Sequence, residues 1–501
     1  MSDIDKSGTR QLGRNVATSW LSHIVFIVLG FLMPRIIDNS LGQVALGVWD
    51  FGWTIVNYLS LAMVGIGSSI NRYVARYRAA NDVEKLSSTV SSVVAVQLSI
   101  ATAVAIATIV LARVVPDQMD DQLGQFADDA GDVLFYLGLS LAVQMAFDAS
   151  RGILTGCHRW TSYNAINAGG YAVTAFAMIA VLMTGGGLGG MAMVFFWFTL
   201  GTELLRAIYA VKACPEIMYR IGLVNWRDVR KVVAFGMKNV LIYVPRIVVQ
   251  QSVSIAIVGV LGPAMLATMA RPLALAGHLA TVVNKFSYVL TPTAGSLQGA
   301  GRNEDLRSFA FGAMRAGWIL AALPCAYLFV LGDKVVDLWM GADYANWRLM
   351  AVLAAGYLIP TATSAVLTIL AGVNEHGRVA KLSLQLSIVT LLVALPLIYT
   401  FGLTLEVAAF IIVLPSNIGI GLVSIVVGCK VLNISAREYV VRVVSQPLSV
   451  AIVCAIALWV VRAYGPESSW QMLLIGAVVQ LVIVLLLLQS DVKEALRSLK
   501  K

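Results

Sequence analysis

WQMLLIGAVVQLVIVLLLLQS, residues 470–490, contains no Asp, Glu, Lys or Arg in 21 positions. At 1.5 Å per residue such a helix reaches about 31 Å, and the hydrocarbon core of a bilayer is about 30 Å thick. Inside that core the backbone finds no water, so a run this apolar is predicted to cross as a helix that satisfies its own peptide groups. A barrel strand would alternate apolar and polar residues over about ten positions, and this run does not alternate. Reading outward, similar runs fill the chain. Of 501 residues 59% are hydrophobic and 13% charged, with a mean hydropathy of +0.82. A soluble domain is nearer about 45–50% apolar and about 25% charged. The composition therefore excludes an ordinary soluble enzyme and a disordered chain.

Hydropathy predicts an all-α integral membrane protein of fourteen spans. The first six lie near residues 15–37, 43–69, 88–113, 131–153, 162–183 and 188–211. Six more lie near 232–259, 264–291, 307–331, 347–370, 379–400 and 403–429, and the last two near 443–463 and 470–490. The opening residues are polar and carry Lys6, Arg10 and Arg14. The apolar run after them is too long for a signal-peptide core, so no secretory signal is expected. No connecting segment is long enough to fold as a soluble catalytic module, and no Walker A sequence is present. Cys157, Cys214, Cys325, Cys429 and Cys454 are scattered without metal-ligand or redox spacing, which reads as small apolar packing. No metal or cofactor is expected.

Charge sets the orientation. With the N-terminus inside, 25 of the 36 Lys and Arg fall in inner segments and five (Arg35, Arg113, Lys334, Arg348, Arg462) in outer ones. That asymmetry predicts cytoplasmic N- and C-termini. It also accounts for the net charge of +9 without nucleic acid as a partner. The loop after the third span carries Asp117, Asp120, Asp121, Asp128, Asp129 and Asp132 and is assigned to the outside.

Shifting the chain by about 220 residues lays Leu41-Gly42 on Leu261-Gly262 and AANDVEKL (79–86) near AGRNEDL (300–306). A shift of about 216 lays Leu154-Thr155-Gly156 on Leu370-Ala371-Gly372. The predicted organisation is a six-helix lobe over 1–211, a cytoplasmic linker over 212–231, a second six-helix lobe over 232–429, and two additional helices with a tail over 430–501.

Charges inside spans are costly, about 2.5–3.5 kcal/mol each on insertion scales, and point to a protein interior or a wet cavity. The eighth span carries Arg271, His278 and Lys285, seven apart. Each step of seven rotates the helix by only about 20°, so all three share one face over about 21 Å. Two snorkelling ends around a packed histidine would give the same spacing. Span seven adds Lys238 and Arg246, the latter beside Pro245, and span nine adds Arg315. Span two carries Asp50 and Asn57, again on one face, and Arg35 follows Pro34 at the outer end of span one. Asp50 suits pairing with a basic group or exchange of a proton. Asp148 with Arg151, and Glu203 with Arg206, have the i,i+3 spacing of structural pairs. A cationic interior suits phosphate or pyrophosphate. Trp53, Tyr58 and Trp318 suit either sugar stacking or packing.

The opening GRNVATSWLSHIVFIVLGFLMPRIID (13–38), the stretch LGQVALGVWDFGWTIVNYLSLAMVGIGSSINRYVARY (41–77) and ILTGCHRW (153–160) resemble the multidrug/oligosaccharidyl-lipid/polysaccharide (MOP) flippase superfamily. Within it they look like the polysaccharide transporter branch of Wzx-type flippases. The resemblance is an overall pattern over nearly the whole chain. It implies two pseudo-symmetric lobes around a central cavity lined by spans one, two, seven and eight. It also implies an undecaprenyl-diphosphate-linked oligosaccharide moved from the cytoplasmic to the periplasmic leaflet of a bacterial inner membrane, in O-antigen, exopolysaccharide or capsule synthesis. The diphosphate would meet Arg246, Arg271, His278, Lys285, Lys238 and Arg315, while Asp50, Asn57 and Arg35 would be polar or coupling residues. Membrane lipids, a polysaccharide polymerase and export machinery would be the partners, and the two extra helices would hold the polyprenyl tail. Drug-extruding relatives usually have twelve spans, and the N-terminal arginine pattern expected of a lipid II flippase is not found. A cation-coupled small-molecule exporter and a lipid II flippase are the alternatives. A membrane polymerase would need a large outer loop that is absent here, so a non-enzymatic transporter is expected.

Overall fold

The computed structural model describes residues 9–63, 67–288 and 290–488, and every regular element among them is helical. The helices are α1 (Thr9–Leu41), α2 (Gln43–Leu59), α3 (Gly67–Ala79), α4 (Val83–Gln118), α5 (Ala127–Gly156), α6 (Trp160–Met183), α7 (Gly187–Ala213) and α8 (Trp226–Leu261). After these come α9 (Pro263–Tyr288), α10 (Leu290–Gly299), α11 (Asn303–Met340), α12 (Trp347–Ala362), α13 (Ser364–Gly372) and α14 (His376–Phe401). The chain finishes with α15 (Leu405–Pro415), α16 (Val423–Val431), α17 (Ser445–Tyr464) and α18 (Ser469–Leu487). Twelve spans among the described residues are long and apolar enough to cross a membrane. The other two predicted crossings correspond to α2, which passes into a 3₁₀ turn at Ser60–Met63, and to α8, whose apolar described part is Arg246–Leu261.

Helix starts follow local chemistry. Asp82 accepts the Lys85 N–H at 3.1 Å and caps α4, and Asn346 accepts the Leu349 N–H at 3.0 Å and caps α12. The internal repeat read from the sequence is visible in the backbone. Gly42 (φ 87°, ψ 171°) and Gly262 (φ 88°, ψ 168°) turn α1 into α2 and α8 into α9 through one conformation that side chains resist. Asn81 and Gly301 both have positive φ before α4 and α11, and so do His158 and Asn374, two residues beyond Gly156 and Gly372. A Cβ on Gly156 would stand 2.9 Å from the Asn71 carbonyl oxygen of α3, and one on Gly372 would stand 2.5 Å from the Thr291 carbonyl oxygen of α10. Each half thus packs the end of its fourth span, at Gly156 or Gly372, backbone to backbone against the short helix that follows its second span.

Two compact units result. Among the described residues, those up to Ile247 with Ser254–Ala264 form the first, and Val248–Val253 with those from Met265 onward form the second. In the first unit α5 is central, packing along α4 and α7 and against α2 and α3. In the second α11 is central, packing against α12, α17 and α18, so the two additional C-terminal helices belong to that unit's core. Polar anchors hold them there. Arg462 of α17 donates to both Asp333 carboxylate oxygens at 2.6 and 2.8 Å and to the Val330 carbonyl at 2.5 Å. Its guanidinium also stands over the Trp347 and Trp459 rings at 5.9 and 5.7 Å. Tyr327 Oη donates to the Leu473 carbonyl at 2.6 Å, and Gln480 Nε2 to the Leu323 carbonyl at 2.7 Å.

Candidate functional site

α9 is unbroken from Pro263 to Tyr288 despite Pro272, so Arg271, His278 and Lys285 do share one face. Arg271 is 4% exposed, and His278 and Lys285 are half-buried. A buried guanidinium in a membrane span needs polar company, and Arg271 is the deepest of this set. Asp50 and Asn57 lie on α2 in the first unit, Asp50 half-buried and Asn57 exposed. Thr54 donates to the Asp50 carbonyl at 3.0 Å and Ser60 to the Asn57 carbonyl at 2.7 Å. Arg35 is half-buried next to Pro34 within α1. Arg246 is exposed on α8, and the side chain of Lys238 lies outside the described residues.

Arg315 enters a second basic feature that the hydropathy pattern had not separated. It lines a cleft of about 1220 Å³ in the second unit, between α11, the segment leading into α17, and the end of α18. Arg315 Nη2 donates to the Gln446 side-chain oxygen. Arg307, eight residues earlier on α11, makes a bidentate pair with Glu438 at 3.0 Å to each oxygen. The Phe311 ring stands between two guanidinium groups, 5.9 Å from Arg307 and 5.4 Å from Arg442. The remaining lining includes Glu304 and Ser308 beside the apolar Phe286, Ile319, Leu320, Val484 and Leu488. Small-molecule pockets are usually about 300–1,000 Å³ and enclosed, so this larger cleft suits an elongated amphiphile with an anionic end. The signal for Arg442 and Gln446 in the sequence was only their place at the start of a span. Their partnership with α11 depends on packing that no periodicity records.

Other sequence readings resolve by contact. Trp318 is 5% exposed and donates from Nε1 to Tyr439 Oη at 3.0 Å, which makes it a packing residue. Trp53 packs edge-on against Trp49 and Phe195, with centroids 6.4 and 5.5 Å away. Cys157 and Cys214, 57 positions apart, meet in one buried cluster at the ends of α5 and α7. Both are free thiols. Beside them Arg78 Nε donates to Glu216 Oε1 at 2.8 Å. Burial pushes the Glu216 carboxyl up, but hydrogen bonds from its own backbone N–H, Arg78 and Cys214 outweigh this and hold it below the ordinary glutamate range.

The MatE family model matches residues 19–181, within the first unit. Among solved structures, the lipid II flippase MurJ in an inward closed conformation superposes with a TM-score of 0.71 at 11% identity, over 96% of this chain and 99% of that one. An inward-facing multidrug resistance MATE family transporter of the MOP superfamily gives 0.66 at 16% identity, over 81% of this chain and 94% of that one. A MOP superfamily transporter from Pyrococcus furiosus, described as having a binding pocket of reversed polarity, gives 0.60 at 13% identity, over 84% and 95%. No curated protein matches the sequence. The fold is that of the MOP superfamily transporters. The MurJ superposition extends over 96% of the chain, against 81% and 84% for the other two.

Proposed function

We propose that the protein is a flippase that carries an undecaprenyl-diphosphate-linked oligosaccharide from the cytoplasmic to the periplasmic leaflet of a bacterial inner membrane, supplying polysaccharide synthesis. The carrying observation is the basic face of α9, with Arg271 buried and His278 and Lys285 in line from it toward the helix's C-terminal end. A drug exporter has no need of a cation ladder, whereas a diphosphate crossing a membrane interior needs compensating charge at successive depths. The cleft of Arg307, Arg315 and Arg442 supports the same reading, since its basic end and apolar walls match the two ends of a lipid phosphate. In this scheme Arg271 and Arg246 hold the diphosphate, and Lys285 and Lys238 guide it at the inner side. The cleft beside the C-terminal helices receives polyprenyl chain. Both termini are cytoplasmic, and polymerase and export proteins take over the passenger outside. The MatE match in the first unit favours one second reading, a cation-coupled small-molecule exporter with Asp50 as its coupling acid.

The test locates the passenger. In cells lacking the gene and blocked in polymerisation, the lipid-linked repeat unit is probed with a glycan reagent that cannot cross the inner membrane. Accumulation on the cytoplasmic side, reversed by the intact gene and not by Arg271→Ala, is the expected result. Normal periplasmic display without the gene would sink the proposal.

A further inference from the structure

In the first unit α5 and α7 pack along one another and bring together two pairs that the sequence reads as separate. Asp148 and Arg151 lie on α5, Glu203 and Arg206 on α7. Arg206 Nη2 donates to Glu203 Oε1, and the two side chains are 9% and 3% exposed. Glu203 Oε2 is buried and has no hydrogen-bond partner among the described residues. Arg151 Nη2 stands 3.0 Å from Asp148 Oδ1, with these side chains 43% and 15% exposed. The charges acting on Glu203 are Arg206, Asp148 and Arg151, and those acting on Asp148 are Arg151 and Arg206. The other packed helices carry charges, among them Asp50 on α2, Arg72, Arg76 and Arg78 on α3 and Lys85 on α4, but none of these acts on Glu203 or Asp148 among the described residues. α4 contributes Gln97, whose Nε2 donates to Asp148 Oδ2 at 3.4 Å and whose Oε1 accepts the Ala149 N–H at 3.0 Å. α6 contributes the Tyr163 ring, 5.8 Å from the Arg206 guanidinium.

Arg151 is the outermost of the four, and its charge is partly screened. The buried Glu203 and the half-buried Asp148 therefore both feel the buried Arg206 guanidinium inside a membrane span, while Asp148 keeps Arg151 as its direct partner. With both ionised the four charges sum to zero, but Glu203 Oε2 stays buried and without a hydrogen-bond partner among the described residues, in a medium of low dielectric. A proton at Oε2 removes the cost of that uncompensated charge. A sodium ion would need several oxygen ligands, but the Gln97 oxygen is already bonded and the Arg206 guanidinium lies beside Glu203 and repels a metal cation.

We propose that Glu203 is a proton-binding site of the first unit, taking one proton from water at Oε2 and returning it to water, with Asp148 as the carboxylate that favours the bound state. On the flippase reading, and resting on it, this is where passage of the lipid-linked sugar draws on a proton gradient.

The experiment is an infrared titration of the purified full-length protein in lipid nanodiscs between about pH 5 and about pH 9. The expected result is one carboxylic-acid C=O band that disappears as pH rises. It is absent from Glu203→Gln, persists at a displaced frequency in Glu203→Asp, and is unchanged when sodium replaces choline. Asp148→Asn should bind the proton about tenfold more weakly, because the repelling charge is gone. An identical band in wild type and Glu203→Gln overturns the assignment, and so does a band that sodium removes at fixed pH. If Glu203→Gln does not fold, the Glu203→Asp and Asp148→Asn spectra decide between the same outcomes. A titrating band in a protein that flips no lipid-linked sugar keeps the proton site and sinks the transport reading. Transport without the band does the reverse.

Discussion

Arg462 is the residue whose loss should most weaken the docking of the C-terminal helices. It makes three hydrogen bonds to α11, two of them to the Asp333 carboxylate, and stacks on two indoles. Asp333 is 8% exposed and Arg462 21%. Arg462→Met keeps the apolar stem but leaves Asp333 buried without its counter-charge. Breaking one side of a buried pair costs about 3–5 kcal/mol, and the partial exposure of Arg462 places this case near about 3 kcal/mol. Asp333→Leu leaves a guanidinium that still reaches water and the Val330 carbonyl, so its cost should be smaller, about 1–2 kcal/mol. The double variant replaces the pair by apolar groups and should fall within about 1 kcal/mol of wild type. Equilibrium unfolding in mixed micelles, followed by tryptophan fluorescence, gives the four corners of the cycle. The reasoning requires a coupling of at least about 2 kcal/mol. Additive single effects, or an Arg462→Met protein within about 0.5 kcal/mol of wild type, would refute it.

Three further outcomes follow from other contacts. Gly372→Ala puts a methyl 2.5 Å from the Thr291 carbonyl oxygen and 3.2 Å from the Gly295 nitrogen. Backbone atoms cannot rotate away, so it should cost about 1–3 kcal/mol in the same unfolding assay. Gly259→Ala, with nothing within 4 Å, should cost nothing. Because the Glu216 carboxyl is held below its ordinary value, its bridge to Arg78 stabilises the protein fully above about pH 4.3, the unfolded value, and loses that contribution as pH falls through the lower folded value. The stability gap between wild type and Glu216→Gln should therefore be full at pH 7 and shrink toward zero in acid; a gap that grows in acid contradicts the assigned sign. In the cleft, Arg442→Gln removes one charged donor beside Phe311. Undecaprenyl diphosphate binding, counted by native mass spectrometry, should weaken about tenfold, and unchanged binding would remove Arg442 from the path.

By itself the sequence determined the membrane class and the internal repeat. Apolar runs near 20 residues leave the backbone one way to satisfy its hydrogen bonds in a bilayer, so α18 and its predecessors could be read from 470–490 outward. The repeat was legible because Gly42 and Gly262, or Gly156 and Gly372, answer to backbone constraints that only glycine meets. The basic face of α9 was legible because seven-residue spacing keeps side chains in register along one helix. Tertiary structure decided which charges meet. Nothing in the spacing of Asp148–Arg151 or Glu203–Arg206 says that two i,i+3 pairs from different helices come close enough for their charges to act on one another. Nor does it say that Arg315 pairs with Gln446, or that Cys157 lies beside Cys214. Periodicity records which way a residue faces on its own helix. Only the packing of one helix on another fixes what it faces, how deeply it is buried, and hence which of its charges can be kept.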